Sequence, residues 1–255
     1  MTTNIHIEAK KTLGQNFLVN EGVLDRIVEA AQLSAADTVI EVGPGTGALT
    51  GRLVATGARV IAIEKDRRLI EPLREKFAGV SNLEIIEGDI LKFDPSASGL
   101  MANNYKLVAN IPYYLTSHLL RLMLEQWPAP SLAVLMVQEE VARRMMAAPS
   151  DMNLLALSVQ LYAKPSMVMR VSRGSFRPVP DVDSVVIKIE PNATNEQRTV
   201  AEQVLLIAKK AFGQKRKQLK ATIPAGALER AGISPTARPQ ELSVSDWVRL
   251  ASALQ

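Results

Sequence analysis

The chain has 255 residues, 47% hydrophobic and 22% charged, so it can form one large domain or a large domain with a small one. It contains no cysteine and two distant histidines, His6 and His118, which excludes disulfides and thiol catalysis and leads us to expect no metal site. The net charge is only +4, no segment approaches the ~20 apolar residues of a membrane-spanning helix, and we identify no signal peptide, so we expect a soluble cytoplasmic protein.

The first predicted helix follows Asn20, which is a favourable N-cap residue. Just before it, two amide side chains, Gln15 and Asn16, stand next to the apolar pair at residues 17–18. A role in covering the core would account for the apolar pair. It would not account for the two amides.

An apolar run at residues 39–42 ends in a glycine cluster that contains Gly43 and Gly45, and apolar residues at helical spacing follow it. This pattern predicts a buried strand, a tight turn and a helix. Glycines let the backbone approach a ligand closely, and a helix N-terminus offers free N–H groups, so the turn indicates a nucleotide-type cofactor. With Ala48, the glycines also match the dinucleotide fingerprint G-x-G-x-x-A. Glu41 favours S-adenosylmethionine, because a carboxylate there can face an ammonium group but would repel a pyrophosphate.

The next three predicted strands each lead to a polar side chain: Glu64, Asp89 and Asn110. Glu64 can accept both ribose hydroxyls of an adenosine, and Asp89 can accept the exocyclic amine of an adenine. Strands that alternate with helices predict an α/β fold, in which a mostly parallel sheet has helices on both faces and binds ligands at the carboxyl ends of its strands. The predicted strands cover residues 39–42, 59–64, 83–87, 105–111, 132–137, 161–171 and 185–190.

The polar segment at residues 190–195 breaks this pattern, and the chain after it is predicted to be helical. We therefore predict two domains, residues 1–190 and residues 191–255. The run at residues 209–220 holds six basic residues and no acidic one, which indicates either a polyanionic partner such as RNA or a solvated helix face. The candidate RNA-binding residues are Lys209, Lys210, Lys215, Arg216, Lys217 and Lys220.

Residues 110–113, Asn-Ile-Pro-Tyr, have the side chains needed to hold a flipped adenine for methylation at N6. The Asn110 side chain and the Ile111 carbonyl can each accept one N6 hydrogen, which is electrostatic preorganisation of the reacting nitrogen. Pro112 fixes the backbone without adding a donor, and Tyr113 can stack on the base. The alternative is an ordinary turn after a strand, because Asn-x-Pro is common in turns.

Five segments together resemble the ribosomal RNA adenine dimethyltransferase family, and within it the enzymes that act on the small subunit. Their order along the chain is also that of the family, and the similarity runs from about Lys10 to the end. The segments are residues 14–18, 41–47, 110–113, 136–144 and 176–184.

The resemblance implies a class I S-adenosylmethionine-dependent methyltransferase with a Rossmann-like, mostly parallel seven-stranded sheet and a small C-terminal all-helical domain. It implies dimethylation at N6 of two adjacent adenines near the 3′ end of small-subunit ribosomal RNA. We also expect a monomer that needs neither a metal nor a membrane. The resemblance also implies that Phe176 is a second aromatic contact to the target base. The residues implied to hold the cofactor are Asn16, Leu18, Gly43, Gly45, Glu64, Asp89 and Asn110.

The chain departs from the family pattern at three places. Gln218 stands where the family usually has a threonine. Asp181 stands where the family usually has a lysine, and the loop at residues 149–155 lacks the family's lysine and tyrosine. Three alternative functions stay open: a large-subunit adenine methyltransferase that confers antibiotic resistance, a mainly non-catalytic protein that docks on the assembling subunit, and a nicotinamide reductase. Nothing in the sequence resembles a hydride-transfer site, and the motif at residues 110–113 favours retained catalysis.

Overall fold

The computed structural model describes residues 7–10, 13–192, 194–214 and 216–254, with only the backbone of Asn195. Packing divides them into two units: the described part of Met1–Glu139 with Ser166–Pro191, and the described part of Glu140–Pro165 with Asn192–Gln255. The predicted domains, 1–190 and 191–255, differ from these units in the placement of residues 140–165. Sequence analysis gave no sign that this segment packs with the C-terminal helices.

Nine strands are present in the described residues. They are β1 (Phe17–Leu18), β2 (Thr38–Val42), β3 (Arg59–Glu64), β4 (Leu83–Glu87), β5 (Lys106–Asn110), β6 (Leu132–Gln138), β7 (Ala163–Val171), β8 (Phe176–Arg177) and β9 (Ser184–Pro191). The described α-helices are α1 (Glu21–Ala31), α2 (Ala48–Ala55), α3 (Arg67–Lys76), α4 (Thr116–Arg121), α5 (Glu139–Met145), α6 (Leu154–Gln160), α7 (Asn195–Phe212), α8 (Ala225–Arg230) and α9 (Val244–Ala253).

Seven strands form one sheet in the order β4-β3-β2-β5-β6-β9-β7. The five strands from β4 to β6 are parallel to their neighbours, whereas β9 runs antiparallel to β6. This arrangement confirms the predicted Rossmann-like methyltransferase fold. A separate antiparallel pair, β1 with β8, places Leu18 opposite Phe176.

The strands β2 and β3 are buried on both faces, as expected where helices cover both sides of a parallel sheet. Val39, Ile40 and Val42 of β2 are all nearly inaccessible. The helix α1 begins where the sequence predicted, because the Asn20 side chain accepts a hydrogen bond from the Val23 N–H at 3.2 Å. These local signals explain why the sheet and its first helix form as predicted.

The second unit is mainly helical. The helix α7 begins with a capping box of Thr194 and Gln197, and α9 begins with a capping box of Ser243 and Asp246. The helix α7 packs against α6 and α9. Its end at Phe212 means that the basic run at residues 209–220 is not one continuous helix. Across the parts of the chain that the structure describes, no helix is both long and apolar enough to cross a bilayer.

Candidate active site

One cavity of about 810 Å³, including open solvent at its mouth, lies in the first unit at the carboxyl ends of β2, β3, β4 and β5. This is where an open parallel sheet binds ligands. Ten of the predicted site residues line it: Asn16, Gly43, Gly45, Glu64, Asp89, Asn110, Ile111, Pro112, Tyr113 and Phe176. The fold therefore brings together side chains that lie as far as 160 positions apart in the sequence.

The turn between β2 and α2 depends on glycine at specific positions. Gly45 has φ +59°, and a Cβ there would stand 3.1 Å from the Phe17 ring. Gly47, which caps α2, has φ +77°, and a Cβ there would stand 2.7 Å from the Phe77 ring, which is too close. Both positions also need the left-handed backbone that side chains disfavour. Gly43 lines the cavity, and the space beside its Cα is open.

Glu64 ends β3 and is almost fully buried at the cavity wall. Its Oε2 accepts the Gly45 N–H at 3.1 Å, and its Oε1 accepts the Asp66 N–H at 2.8 Å. Burial raises the pKa of Glu64 above its usual value, although these backbone donors oppose the shift. The carboxylate is thus fixed in orientation and still has lone pairs with which to accept ligand hydroxyls.

A second cavity of about 340 Å³ shares Gly43, Gly45 and Asn110 with the first and is also lined by Leu18 and Glu41. Glu41 is 1% exposed, and neither of its carboxylate oxygens has a hydrogen-bond partner among the described residues. Burial raises the pKa of Glu41 to about 8; the neighbouring Thr50 hydroxyl opposes this shift and the nearby Glu64 charge adds to it. An unpartnered buried carboxylate at this point suits a ligand that carries an ammonium group.

Asp89 follows β4, and each of its two carboxylate oxygens is held by a neighbouring group. Its Oδ1 accepts the Leu91 N–H at 3.0 Å, and its Oδ2 lies 2.8 Å from the Lys65 Nζ. Burial acts to raise the pKa of Asp89, but Lys65 and the Leu91 N–H outweigh it, so the pKa lies below the usual value. Asp89 is therefore an ionised acceptor.

The segment at residues 110–113 leaves β5 and turns into the cavity wall. The Asn110 Nδ2 donates to the Asn16 carbonyl at 3.3 Å, while no described residue donates to its Oδ1. Tyr113 is partly buried, and its hydroxyl shares a hydrogen bond of 2.9 Å with the Ser184 hydroxyl. Phe176 is 1% exposed and forms part of the wall. One side-chain acceptor and one anchored aromatic ring are thus presented at the same cavity.

Sequence reasoning missed several residues that line the same cavity. Tyr114, which is 53% exposed, directly follows the predicted motif, and Lys65 directly follows Glu64. Adjacency to a predicted residue was the only signal for either of them. Gln15 was noted for its amide, but sequence reasoning gave it no role in the site.

The basic run at residues 209–220 belongs to the second unit. Lys215 lies outside the described residues. The described basic side chains of the run are all exposed, and no described ion pair includes them. These residues are Lys209, Lys210, Arg216, Lys217 and Lys220. Exposure and unpaired charge fit contact with a polyanion, and RNA binding by these residues stays a prediction.

Among the described residues, no group of three or more histidine, cysteine, aspartate or glutamate side chains is placed to hold a metal ion.

A family model described as ribosomal RNA adenine dimethylase matches residues 6–255. Ribosomal RNA small subunit methyltransferase A of Dehalococcoides mccartyi is 44% identical over 257 residues, which cover 96% of this chain and 88% of that protein. A solved dimethyladenosine transferase from Plasmodium falciparum is 30% identical with a TM-score of 0.79, covering 92% of this chain and 95% of that one. The solved 23S rRNA methyltransferase ErmE is 28% identical with a TM-score of 0.75, covering 94% of this chain and 99% of that one.

Proposed function

Because this chain belongs to the ribosomal RNA adenine dimethylase family, we propose that it dimethylates N6 of two adjacent adenines near the 3′ end of small-subunit ribosomal RNA. It is an rRNA adenine dimethyltransferase and uses S-adenosylmethionine. The Dehalococcoides relative is a small subunit methyltransferase by name, which supports the small subunit as the substrate. We further propose that the protein acts as a monomer in the cytoplasm, where small subunits assemble.

The observation that carries the proposed active site is that the 810 Å³ cavity is lined by all five residues predicted for the base and by six of the seven predicted for the cofactor. The seventh, Leu18, lines the adjoining second cavity. S-adenosylmethionine supplies a methyl group that its sulfonium already activates. In this proposal Glu64 accepts the ribose hydroxyls of the cofactor, and Asp89 accepts its adenine amine. The buried, unpartnered Glu41 carboxylate fits the ammonium group. A nicotinamide cofactor carries a pyrophosphate in place of an ammonium group, so it would leave Glu41 buried without a cationic partner.

In the proposed mechanism, this chain aligns the target amine and stabilises the charge that develops on it. An exocyclic adenine amine is a poor nucleophile, because its lone pair is delocalised into the ring. The Asn110 Oδ1 would accept one N6 hydrogen and the Ile111 carbonyl the other, which favours the pyramidal form of the nitrogen. As the bond from nitrogen to the methyl group formed, the bond from the methyl group to sulfur would break, and the methylated nitrogen would then lose one proton. Tyr113 stacks on the flipped base, and Phe176 supports it from the wall. Holding the two reactants in line can supply ~7–11 kcal/mol of the barrier reduction.

The likeness to ErmE means that the fold alone does not decide between the two ribosomal subunits. Residues 138–144 and 176–184 favour the small subunit, because they carry the pattern of the small-subunit enzymes. Incubating the protein with undermethylated small and large subunits, followed by mass spectrometry of rRNA fragments, tests this choice. We expect dimethyladenosine only in a 3′-terminal small-subunit fragment. Methylation of the large subunit alone would support the resistance enzyme, and methylation of neither would support the docking protein.

The role of Tyr113 as a stacking platform predicts a contrast between two substitutions. Tyr113→Ala removes a stacking face worth ~1–3 kcal/mol per base, so it should mainly weaken capture of the flipped adenine. Tyr113→Phe keeps the ring and loses only the bond to Ser184, so most activity should remain. Single-turnover rates at several concentrations of small subunit measure both effects. Equal inactivity of the two variants would make the hydroxyl essential and the stacking assignment wrong.

If the basic run binds RNA phosphates, the affinity for the small subunit should fall steeply as the salt concentration rises. Replacing Lys215, Arg216 and Lys217 with glutamine should reduce the slope of log K against log salt by about 2, for one phosphate contact each. Cofactor affinity should not change. The control is a triple variant that removes the same amount of positive charge from the first unit. It replaces three exposed arginines with glutamine: Arg26, Arg59 and Arg74. Equal slopes in both variants would identify the run as a solvated surface.

A further inference from the structure

Asp66 is a buried carboxylate close to the proposed cofactor site, and the mechanism above gives it no role. It is 3% exposed and lies two residues after Glu64. Its Oδ2 accepts the Gln15 Nε2 at 3.0 Å and the Arg68 Nη2 at 2.6 Å, and its Oδ1 accepts the Arg68 Nε at 3.0 Å. A buried charge with this many donors is held in one orientation.

Both partners of Asp66 continue to the backbone of the N-terminal segment, which we define as residues 8–10 and 13–18. The Gln15 Oε1 accepts the Lys10 N–H at 2.8 Å. The Arg68 Nη1 donates to the Glu8 carbonyl at 3.3 Å. Asp66 thus connects the end of β3 to the N-terminal segment by two routes.

The N-terminal segment forms one wall of the 810 Å³ cavity through five consecutive residues, namely Leu13, Gly14, Gln15, Asn16 and Phe17. The same segment supports the reacting end of the site, because the Asn16 carbonyl accepts the Asn110 Nδ2. A displacement of this wall would therefore change both the cofactor pocket and the orientation of Asn110.

We propose that Asp66 is a positioning residue for S-adenosylmethionine. Through Gln15 and Arg68, Asp66 holds the N-terminal segment in place as a wall of the cavity. The proposal rests on the assignment of this cavity as the cofactor site. Asp66 touches no reacting atom and acts through the segment that it anchors. The hydrogen bonds from Arg68 lower the pKa of Asp66 to about 2, so the anchor stays ionised throughout the range in which the protein is assayed.

Asp66 also accepts the Arg68 N–H at 3.3 Å and so caps α3, which is a purely structural role. The test must separate the two roles. Asparagine is as good an N-cap as aspartate, so Asp66→Asn keeps the cap. It also replaces one acceptor oxygen with an NH₂ group, which can only donate. The single oxygen that remains cannot replace both carboxylate oxygens in accepting the hydrogen bonds from Gln15 and Arg68.

The test is an exchange of donor and acceptor between the two side chains. In Gln15→Glu a carboxylate faces the Asp66 carboxylate, and in Asp66→Asn two amides compete, so each single variant should bind S-adenosylmethionine about tenfold more weakly by calorimetry. In the double variant, the amide introduced at position 66 can donate an N–H to the carboxylate introduced at position 15. We expect its affinity to return to within about threefold of the parent. Additive loss in the double variant would overturn the proposal.

A second readout needs no cofactor. In the free protein, amide hydrogen exchange in the peptide that contains Gln15 should be faster in both single variants and slow again in the double variant. Ser243→Ala is the control, because it removes the cap of α9 in the second unit. It should lower the unfolding temperature without changing exchange near Gln15 or cofactor affinity.

The two readouts distinguish failure of this proposal from failure of the proposed site. Unchanged exchange in Asp66→Asn would overturn the anchoring role even if the cavity binds the cofactor. Faster exchange with unchanged cofactor affinity would overturn the positioning role. If Glu64→Ala left affinity unchanged as well, the cofactor would bind elsewhere and the assignment of the cavity would fail.

Discussion

Asn110→Ala is expected to slow methyl transfer by roughly 10²–10³-fold, which is the usual effect of losing one preorganised polar contact to a transition state. The variant removes the Oδ1 acceptor that aligns the target amine. It leaves the glycine turn and Glu64 in place. Single-turnover rates at saturating cofactor and small subunit measure the chemical step directly.

The cofactor affinity of Asn110→Ala serves as the control for this experiment. A modest loss is expected, because the family resemblance also gives Asn110 a cofactor contact and because its Nδ2 supports the Asn16 carbonyl. A rate within about fivefold of the parent would contradict the assigned role, since it falls well short of the loss expected for a preorganised contact. A loss of cofactor affinity as large as the loss of rate would instead make Asn110 a cofactor-binding residue only.

The placement of this site was predictable from the sequence because parallel strands bring their carboxyl ends to one edge of a sheet. Glu64, Asp89 and Asn110 are each identifiable from the end of an apolar run. Their convergence on one cavity follows from the strand order rather than from any contact among them. Local pattern and fold class were sufficient for this part of the site.

Contacts between distant segments were not predictable in the same way. Gln15 and Asp66 are 51 positions apart, and their hydrogen bond depends on the path that the chain takes before β1. Lys65 gave no signal of its own, since one lysine next to an acidic residue is common on protein surfaces. Its pairing with Asp89 exists only because β3 and β4 are neighbours in the sheet.

The glycine fingerprint was informative about the turn and less so about the role of each position. In the pattern G-x-G-x-x-A, the final small residue is Ala48, so the pattern predicts close packing at that position. The structure instead makes Gly47 the position with the least room, because the Phe77 ring at the end of α3 packs against it. The assignment of residues 140–165 to the second unit was likewise not predictable from local pattern, because they pack with residues far along the chain, after residue 191.

Glu64→Ala is expected to weaken S-adenosylmethionine binding by about 10- to 100-fold, because hydrogen bonds to a charged group are worth ~1.5–3 kcal/mol. The ribose would lose its charged acceptor. The N–H groups of Gly45 and Asp66 would also lose the carboxylate that now orients them. Calorimetry on the purified protein measures the loss, and unfolding temperatures show whether the variant remains folded.

Glu64→Gln is the matched variant, since it keeps an acceptor oxygen and the side-chain volume but removes the charge. Burial raises the pKa of Glu64, so the parent should begin to lose cofactor affinity at a pH above the usual range for glutamate titration. Protonation converts the acceptor carboxylate into the neutral acid, so affinity falls as the pH falls. The difference between the parent and Glu64→Gln across pH separates Glu64 from Asp89, which both proteins retain. It also includes the change at Glu41, whose pKa the Glu64 charge helps to raise. Equal affinity of parent and Glu64→Ala would exclude Glu64 from the site, and competition by NADH would overturn the cofactor assignment itself.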